Sequence, residues 1–414
     1  MSALKSRSPV SRTTRTLVSV LAGLGMVLLG TTAPPAHADD AVSVGIPNWS
    51  GLDVTEYSGP PIPAKAGTLI SQVPLAEELN LPPAAGDAYR IQYSSLNQHG
   101  KMATGTGAVF LPKGKAPAGG WPVISWAHGT VGMNDDCTPS AFPRSERDQK
   151  YLGHWLQQGY AVVAADYVGL GTPRPDGLPE RRHRRARDRR HRRRLASDGS
   201  AAGQALGNHR TVAGCGRRVE RGGSLRHRVQ PWIGSGLPRV VATGIPANLE
   251  YLYQNLGPVV PPVNLPGGLN AYTAYILAGF NDTRPDMNIT KAMTPKGIKR
   301  LAEGRTTCYP ILKKSLAGDD VRTWFRAPLM SIPGLSPALH EYMATPYKGY
   351  DRPIFLGQGL RDVDVPAPSA LSLYAQMKAN NQPVELFVYP EDDHSSAVLA
   401  SMKDSTPFVA RILR

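Results

Sequence analysis

Short apolar runs that alternate with helical segments are the feature that most constrains the fold of this chain. Each run is four to seven residues long, which suits one buried strand, and a loop rich in glycine or charged residues follows it. Strands and helices in alternation predict a mostly parallel sheet with functional loops at the carboxyl ends of its strands. The predicted strands are 121–126, 160–166, 240–244, 354–357 and 384–389, and the predicted helices are 151–159, 247–256 and 369–379.

Two further stretches complete this architecture. Residues 88–94 and 103–111 flank a turn and predict an antiparallel hairpin that opens the sheet. After residue 257, amphipathic pieces are broken by proline and glycine and lack strand periodicity, which predicts a helical cap. The predicted domains are an N-terminal part of the core over 39–244, a helical cap over 245–348 and a C-terminal part of the core over 349–414.

The first 38 residues predict a secretory signal peptide. A basic start precedes an apolar run over 17–29 and the small-residue site Ala36-His37-Ala38, which is typical of signal cleavage. A membrane anchor is the alternative, but the apolar run is shorter than the roughly 20 residues that a bilayer requires. We therefore expect a secreted, extracellular protein in which disulfides can form.

The formal net charge of +15 is concentrated in one segment. Between residues 179 and 228 there are 16 arginines and four acidic residues, a net charge of +12, and the basic start of the chain adds four more positive charges. The remaining sequence is close to neutral, so its charge does not indicate a basic binding surface spread over the fold. We expect no nucleic acid partner.

Residues 178–236 form an aberrant, arginine-rich segment. Arginine alternates there with histidine, aspartate and alanine, and burying unpaired guanidinium groups is costly. We therefore predict that this segment does not pack as a strand or a helix. A basic insertion that binds anionic partners is one explanation, and a shift of the reading frame is the simpler one.

Two polar loops near the carboxyl terminus contain an acid and a histidine. Asp362 follows the predicted strand 354–357, and His394, 32 residues later, follows the next predicted strand. An acid can orient an imidazole and stabilise its charged form while the imidazole moves a proton. A turn aspartate and a surface histidine are the alternatives, and Asp364 competes with Asp362 for the role of the acid.

Several other motifs occur in order along the same chain. They are Ala127-His128-Gly129-Thr130, Asp136-Cys137-Thr138-Pro139-Ser140, Asp166-Tyr167-x-Gly169-x-Gly171 and Ala242-Thr243-Gly244 with Asn248-Leu249. Over most of residues 50–414 the sequence thereby resembles the secreted triacylglycerol lipases of the yeast secretory type and their bacterial relatives. The resemblance implies an α/β-hydrolase fold, with a mostly parallel central sheet flanked by helices and a helical cap insertion.

The resemblance also implies a serine hydrolase that cleaves carboxylic esters of the triacylglycerol type. His394 would be the base, Asp362 rather than Asp364 the acid, and Gly129 and Thr130 the oxyanion hole. The substrate would be a lipid, met at a lipid–water interface, or a small ester, and the protein would be a monomer. A peptidase or acyltransferase is the alternative within the fold, and a non-catalytic secreted binder of anionic partners is the alternative outside it.

The three cysteines are an odd number for a secreted chain. They are Cys137, Cys215 and Cys308. Export, together with the Asp-Cys-x-Pro-Ser block of the resembled family, implies a disulfide between Cys137 and Cys308. We expect no cofactor and no metal, because the ten histidines and three cysteines form no cluster with ligand spacing.

The serine nucleophile of such a hydrolase is missing from the sequence. The family pattern places it in Gly-x-Ser-x-Gly between Asp166 and Val240, but no serine of the chain has glycine both two residues before and two residues after it. If the arginine codons are of the CGN type, a frame shifted by one base permits Gly-x-Ser-Asn-Gly-Gly over 217–223. The serine then stands at Val219 and Cys215 vanishes. We therefore expect the chain as written to be inactive.

Overall fold

One mixed sheet organises the part of the chain that the computed structural model describes, namely 45–56, 59–81, 83–97, 99–118, 120–173, 211–214 (backbone only), 239–259 and 265–413. Its strands are β1 Leu69–Pro74, β2 Ala85–Leu96, β3 Met102–Pro112, β4 Val123–Ala127, β5 Ala161–Ala165, β6 Thr211–Gly214, β7 Arg239–Thr243, β8 Ile354–Gly359 and β9 Val384–Tyr389. Their order across the sheet is β1-β2-β3-β5-β4-β6-β7-β8-β9.

The sheet has an antiparallel edge and a parallel centre. Strands β1, β2, β3 and β5 pair antiparallel, whereas β5, β4, β6, β7, β8 and β9 pair in parallel. Parallel strands end at the same edge of a sheet, so the loops after β4, β5, β7, β8 and β9 all leave from one side. The predicted hairpin and the five predicted buried strands are confirmed.

Helices lie between and after the parallel strands. They are α1 Glu146–Gln157, α2 Glu250–Tyr253, α3 Gly267–Thr283, α4 Pro295–Thr306, α5 Tyr309–Ser315, α6 Leu335–Met343, α7 Ala367–Ala379, α8 Ser396–Ala400 and α9 Met402–Ile412. Helix α1 begins five residues before the predicted start, because the Ser145 hydroxyl caps it by accepting from the Asp148 amide at 3.2 Å.

The predicted helix over 247–256 is wrong at its start. Asn248 has φ +59°, a left-handed conformation that no α-helix contains, and its side-chain amide donates to the Ser372 hydroxyl at 2.7 Å. The helix therefore begins only at Glu250, and it ends at Tyr253, three residues before the predicted end. The left-handed turn fastens the segment after β7 to helix α7, which contains Ser372.

Alternation along the strands places apolar side chains on both faces of the sheet. In β8, Phe355 packs with Trp126 and Phe408 in one cluster, while its neighbours Ile354 and Leu356 pack with α7 in another. The helices between β7 and β8 have a third cluster of their own, which includes the fully buried Trp324. Burial on both faces explains why β8 reads as an unbroken apolar run in the sequence.

Two predicted segments fall largely outside the described residues. The signal peptide over 1–38 lies wholly outside them, as does the arginine-rich segment 178–236 except for β6. For 211–214 the prediction that no strand forms is wrong: these residues pair in parallel with β4 and β7. The physical reason is that Thr-Val-Ala-Gly is a stretch without arginine inside the basic segment. Among the described residues, no helix is long and apolar enough to cross a membrane.

Candidate active site

The loops after β8 and β9 bring an acid and a histidine into direct contact. The Nδ1 atom of His394 donates to Oδ2 of Asp362 across 2.5 Å, and both side chains are almost completely buried. A short hydrogen bond to a buried carboxylate fixes the orientation of the imidazole and stabilises its protonated form. The structure thus brings together the two residues that the sequence predicted as acid and base.

The carboxylate of Asp362 is held by its own loop. Its Oδ1 atom accepts from the backbone amides of Asp364 at 2.9 Å and Val365 at 2.7 Å. Beside it, the buried Gln358 side chain donates to the carbonyls of Gly359 at 2.8 Å and Val365 at 3.2 Å. Both carboxylate oxygens therefore have defined partners, which fixes the acid before any substrate is present.

Asp364, the alternative acid, faces another part of the molecule. A Cβ placed on Gly268, in the first turn of α3, would lie 3.2 Å from Oδ1 of Asp364 and 2.9 Å from the hydroxyl of Tyr309. The carboxylate of Asp364 therefore lies against the helices between β7 and β8. The carboxylate that bonds to Nδ1 of His394 is that of Asp362.

Backbone hydrogen bonds join the histidine loop to the acid loop. The Leu360 amide donates to the Tyr389 carbonyl at 3.0 Å, and the Arg361 amide donates to the Asp392 carbonyl at 3.1 Å. Asp393, the residue before His394, accepts from the amides of Ser395 at 2.9 Å and Ser396 at 2.8 Å, just before helix α8 begins. The acid and the histidine are therefore placed by neighbouring strands and by one another.

The loop after β4, residues 128–145, contains the predicted oxyanion residues Gly129 and Thr130 and is called the oxyanion-side loop below. Neither of their amides is a donor in the backbone hydrogen bonds among the described residues. Next to them, His128 is buried, its Nδ1 donates to the Gly129 carbonyl at 2.6 Å, and its ring lies 4.2 Å from that of Tyr167. The Tyr167 hydroxyl in turn donates to the His128 carbonyl at 2.9 Å.

Burial determines the charge of His128. Desolvation lowers its pKa to about 4, although the nearby Asp166 carboxylate acts in the opposite direction. The ring is therefore neutral at pH 7, with its proton on Nδ1, where it meets the Gly129 carbonyl. Through this hydrogen bond and its contact with Tyr167, His128 stabilises the conformation of the loop after β4.

The predicted disulfide between Cys137 and Cys308 is present. The two Cα atoms are 5.4 Å apart, and the bond joins residues separated by 171 positions. Cys308 directly precedes helix α5, and the next residue, Tyr309, donates its amide to the Val131 carbonyl at 2.8 Å. The oxyanion-side loop is thus fastened to the helices between β7 and β8 by one covalent bond and one hydrogen bond.

A buried ion pair that the sequence did not reveal supports the loops after β4 and β5. Arg90 and Asp166 are 3.8 Å apart with 0% and 1% of their side chains exposed. Asp166 accepts from the Ser140 amide at 3.0 Å and the Thr106 hydroxyl at 2.8 Å, and Arg90 donates to the hydroxyl of Ser140 and to the Leu52 carbonyl. From the sequence, an arginine within a strand is expected to be exposed to solvent. The burial of Arg90 and its pairing with Asp166 are visible only in the packed structure.

One more central strand ends at the edge of the sheet where the acid and the histidine lie. Strand β6 lies between β4, which leads to Gly129, and β7, and its carboxyl end at Gly214 points to the same edge as the acid and histidine loops. Residues 215–238, which follow β6, are outside the described residues. The described arrangement can take up and return a proton through His394, and the backbone amides of Gly129 and Thr130 lie in the loop after a neighbouring strand.

Solved structures with a similar fold include lipases and esterases. Candida antarctica lipase A in its closed state matches with a TM-score of 0.58 and 17% identity, over 84% of this chain and 82% of that one. The rice cell wall degrading esterase LipA from Xanthomonas oryzae matches with a TM-score of 0.54 and 17% identity, over 84% of this chain and 98% of that one. No protein-family model and no curated protein matches the sequence. The predicted α/β-hydrolase fold is confirmed.

Proposed function

We propose that the protein is a carboxylic ester hydrolase of the triacylglycerol lipase type that lacks its nucleophile in the sequence as written. The buried 2.5 Å contact between His394 and Asp362 supports this more than any other feature. In the reaction, a serine hydroxyl attacks the acyl carbonyl, His394 accepts its proton and later returns it to the leaving alcohol, and Asp362 stabilises the imidazolium. The amides of Gly129 and Thr130 stabilise the oxyanion.

Strand β6 supports a frame-shifted origin for the missing nucleophile. In α/β-hydrolases the nucleophilic serine stands on a sharp turn between a strand and a helix. Strand β6 ends at Gly214, five residues before Val219, where the shifted reading frame permits a serine. In the sequence, 217–223 begins three residues after the last residue of β6, which agrees with a nucleophile turn after this strand.

The disulfide and the fold neighbours support the rest of the proposal. A structural disulfide is typical of oxidising compartments, which agrees with export by a signal peptide over 1–38. Lipase and esterase neighbours favour a lipid or small ester substrate, and we propose that the helices between β7 and β8 form a cap over the acyl site of a monomer.

Ester hydrolysis by the shifted-frame protein tests this function. We expect serine-dependent turnover of a short-chain ester that a fluorophosphonate probe blocks, with a loss of at least about 1,000-fold on His394→Ala and a large loss on Asp362→Asn. Asp364→Asn is the matched control, because it removes a carboxylate from the same loop that does not bond to the histidine, and it should keep most of the activity. Equal losses for Asp362→Asn and Asp364→Asn would contradict the assignment of the acid.

A further inference from the structure

The residue that follows strand β7 lies against the acid–histidine pair. Gly244 has φ +62°, and its amide donates to the Gly357 carbonyl of β8 at 2.9 Å. A Cβ added to Gly244 would lie 2.7 Å from Cε1 and 2.9 Å from Nδ1 of His394, and 3.3 Å from Oδ2 of Asp362. The α-carbon of Gly244 therefore faces both atoms of the short hydrogen bond.

These distances leave no room for a side chain at this position. Non-bonded carbon atoms are at their optimal separation near 3.5–4.0 Å, so a Cβ at about 2.7 Å requires movement of one partner. The sheet restrains Gly244, because Thr243 and Gly357 are paired in register and the next amide bonds to the same residue. The imidazole of His394, which is 3% exposed and fastened through one ring nitrogen, is the group that would have to shift.

We propose that Gly244 is a positioning residue for the acid–histidine pair. Because Gly244 has no side chain, the imidazole of His394 can pack directly against the end of β7. In that position its Nδ1 atom reaches Oδ2 of Asp362. A side chain there moves the ring away from the strand end and lengthens or breaks that bond. This inference rests on the proposed function, in which the pair transfers the proton of the nucleophile.

Glycine can be required at position 244 for two reasons, namely the contact with His394 and the left-handed backbone conformation, which by itself favours glycine. A control must separate them. Gly318 supplies the matched control: it has φ +75°, and a Cβ added there has no heavy atom within 4 Å. Alanine at either position imposes the same type of backbone strain. Only alanine at position 244 also meets the histidine.

The proton of the Asp362–His394 bond gives a direct readout in the chain as written, without any need for turnover. A proton in a short N–H···O⁻ bond resonates far downfield of the amide region in a proton NMR spectrum. We expect this resonance in the unsubstituted protein and in Gly318→Ala, and its loss or a large upfield shift in Gly244→Ala with unchanged circular dichroism. Asp362→Asn assigns the signal by removing it.

The NMR results distinguish a wrong positioning role for Gly244 from a wrong proposed function. A wild-type downfield resonance in folded Gly244→Ala overturns the positioning role, since the glycine then serves only the backbone. If no downfield resonance exists in the unsubstituted protein, the acid–histidine pair fails and the proposed function fails with it. Asparagine tolerates positive φ, as Asn248 and Asn288 do in this chain, so Gly244→Asn with Gly318→Asn as its control repeats the test if Gly244→Ala does not fold. Failure of both Gly244 variants to fold, with both Gly318 variants folded, also overturns the proposal.

Discussion

The oxyanion-side loop and the acid–histidine pair are held in place by different forces. Asp362 and His394 are 32 positions apart in the loops after two neighbouring strands. Their short side-chain hydrogen bond, the backbone hydrogen bonds between these loops and the close contact with Gly244 fix them. The loop after β4 depends on distant partners, namely a disulfide to Cys308 and the buried Arg90–Asp166 ion pair. The pair should therefore be insensitive to reduction of the disulfide, while the loop should be sensitive to reduction and, through His128, to mild acid.

Removing the disulfide is expected to have the largest effect. Closing a loop of 171 positions is worth about 5 kcal/mol by the chain-entropy estimate, so Cys137→Ala with Cys308→Ala should lower the free energy of unfolding by up to that amount. Urea denaturation measures the loss. In conditions where the variant remains folded, the downfield His394 resonance should persist, because the pair is held by Gly244 and by hydrogen bonds between the loops after β8 and β9. Loss of that resonance in a folded variant would contradict the separation of the two regions.

Breaking the buried ion pair is expected to have the next largest effect. Asp166→Asn leaves the guanidinium of Arg90 buried without its carboxylate, which should cost about 3–5 kcal/mol of unfolding free energy. Glu385→Gln is the matched control, because its partner Arg411 is mostly exposed and such pairs contribute less than about 1 kcal/mol. Similar losses of unfolding free energy in the two variants would contradict the claim that the Asp166 carboxylate offsets the cost of burying Arg90.

Acid should weaken the oxyanion-side loop through His128. Its pKa is about 4 in the folded protein against an ordinary value of 6.5, so between these values the unfolded chain binds a proton that the folded protein does not. Stability therefore falls as the pH drops from about 6.5 to 4, by about 3 kcal/mol in total from this residue. His128→Gln should flatten the dependence of the urea midpoint on pH in this window, whereas substitution of the exposed His99 by glutamine should not. Parallel slopes for His128→Gln and the unsubstituted protein would contradict the assignment.

The sequence could predict the acid and the histidine because their signal is local. Each follows a buried apolar run, and parallel strands deliver such loops to one edge. The supporting residues have no such signal: Gln358 and Arg90 are polar residues within strands, and their burial follows from packing between distant segments. The contact of Gly244 with the histidine is set by the approach of two loops about 150 positions apart, which no pattern along the chain encodes.

Local patterns also failed where one residue changed the backbone conformation. Asn248 reads as a weak helix residue, yet its left-handed φ keeps the start of the predicted helix from forming, and its side chain bonds to α7 instead. The strand at 211–214 was missed for the opposite reason: its neighbours in sequence are rich in arginine, and pairing with β4 and β7 overrides that composition. In both places, sheet pairing or side-chain contacts determine the backbone conformation more strongly than the local secondary-structure propensity does.

Ester turnover and probe labelling of the chain as written test the central proposal most directly. The acid, the histidine and the oxyanion-side loop are in place, but no serine occupies a Gly-x-Ser-x-Gly turn. We therefore predict hydrolysis of a short-chain ester barely above background and no labelling by a fluorophosphonate, with both appearing in the shifted-frame protein. Turnover at an ordinary enzymatic rate of about 1 per second or more by the unmodified chain, with the probe attached to a serine such as Ser224 or Ser235, would contradict the proposal.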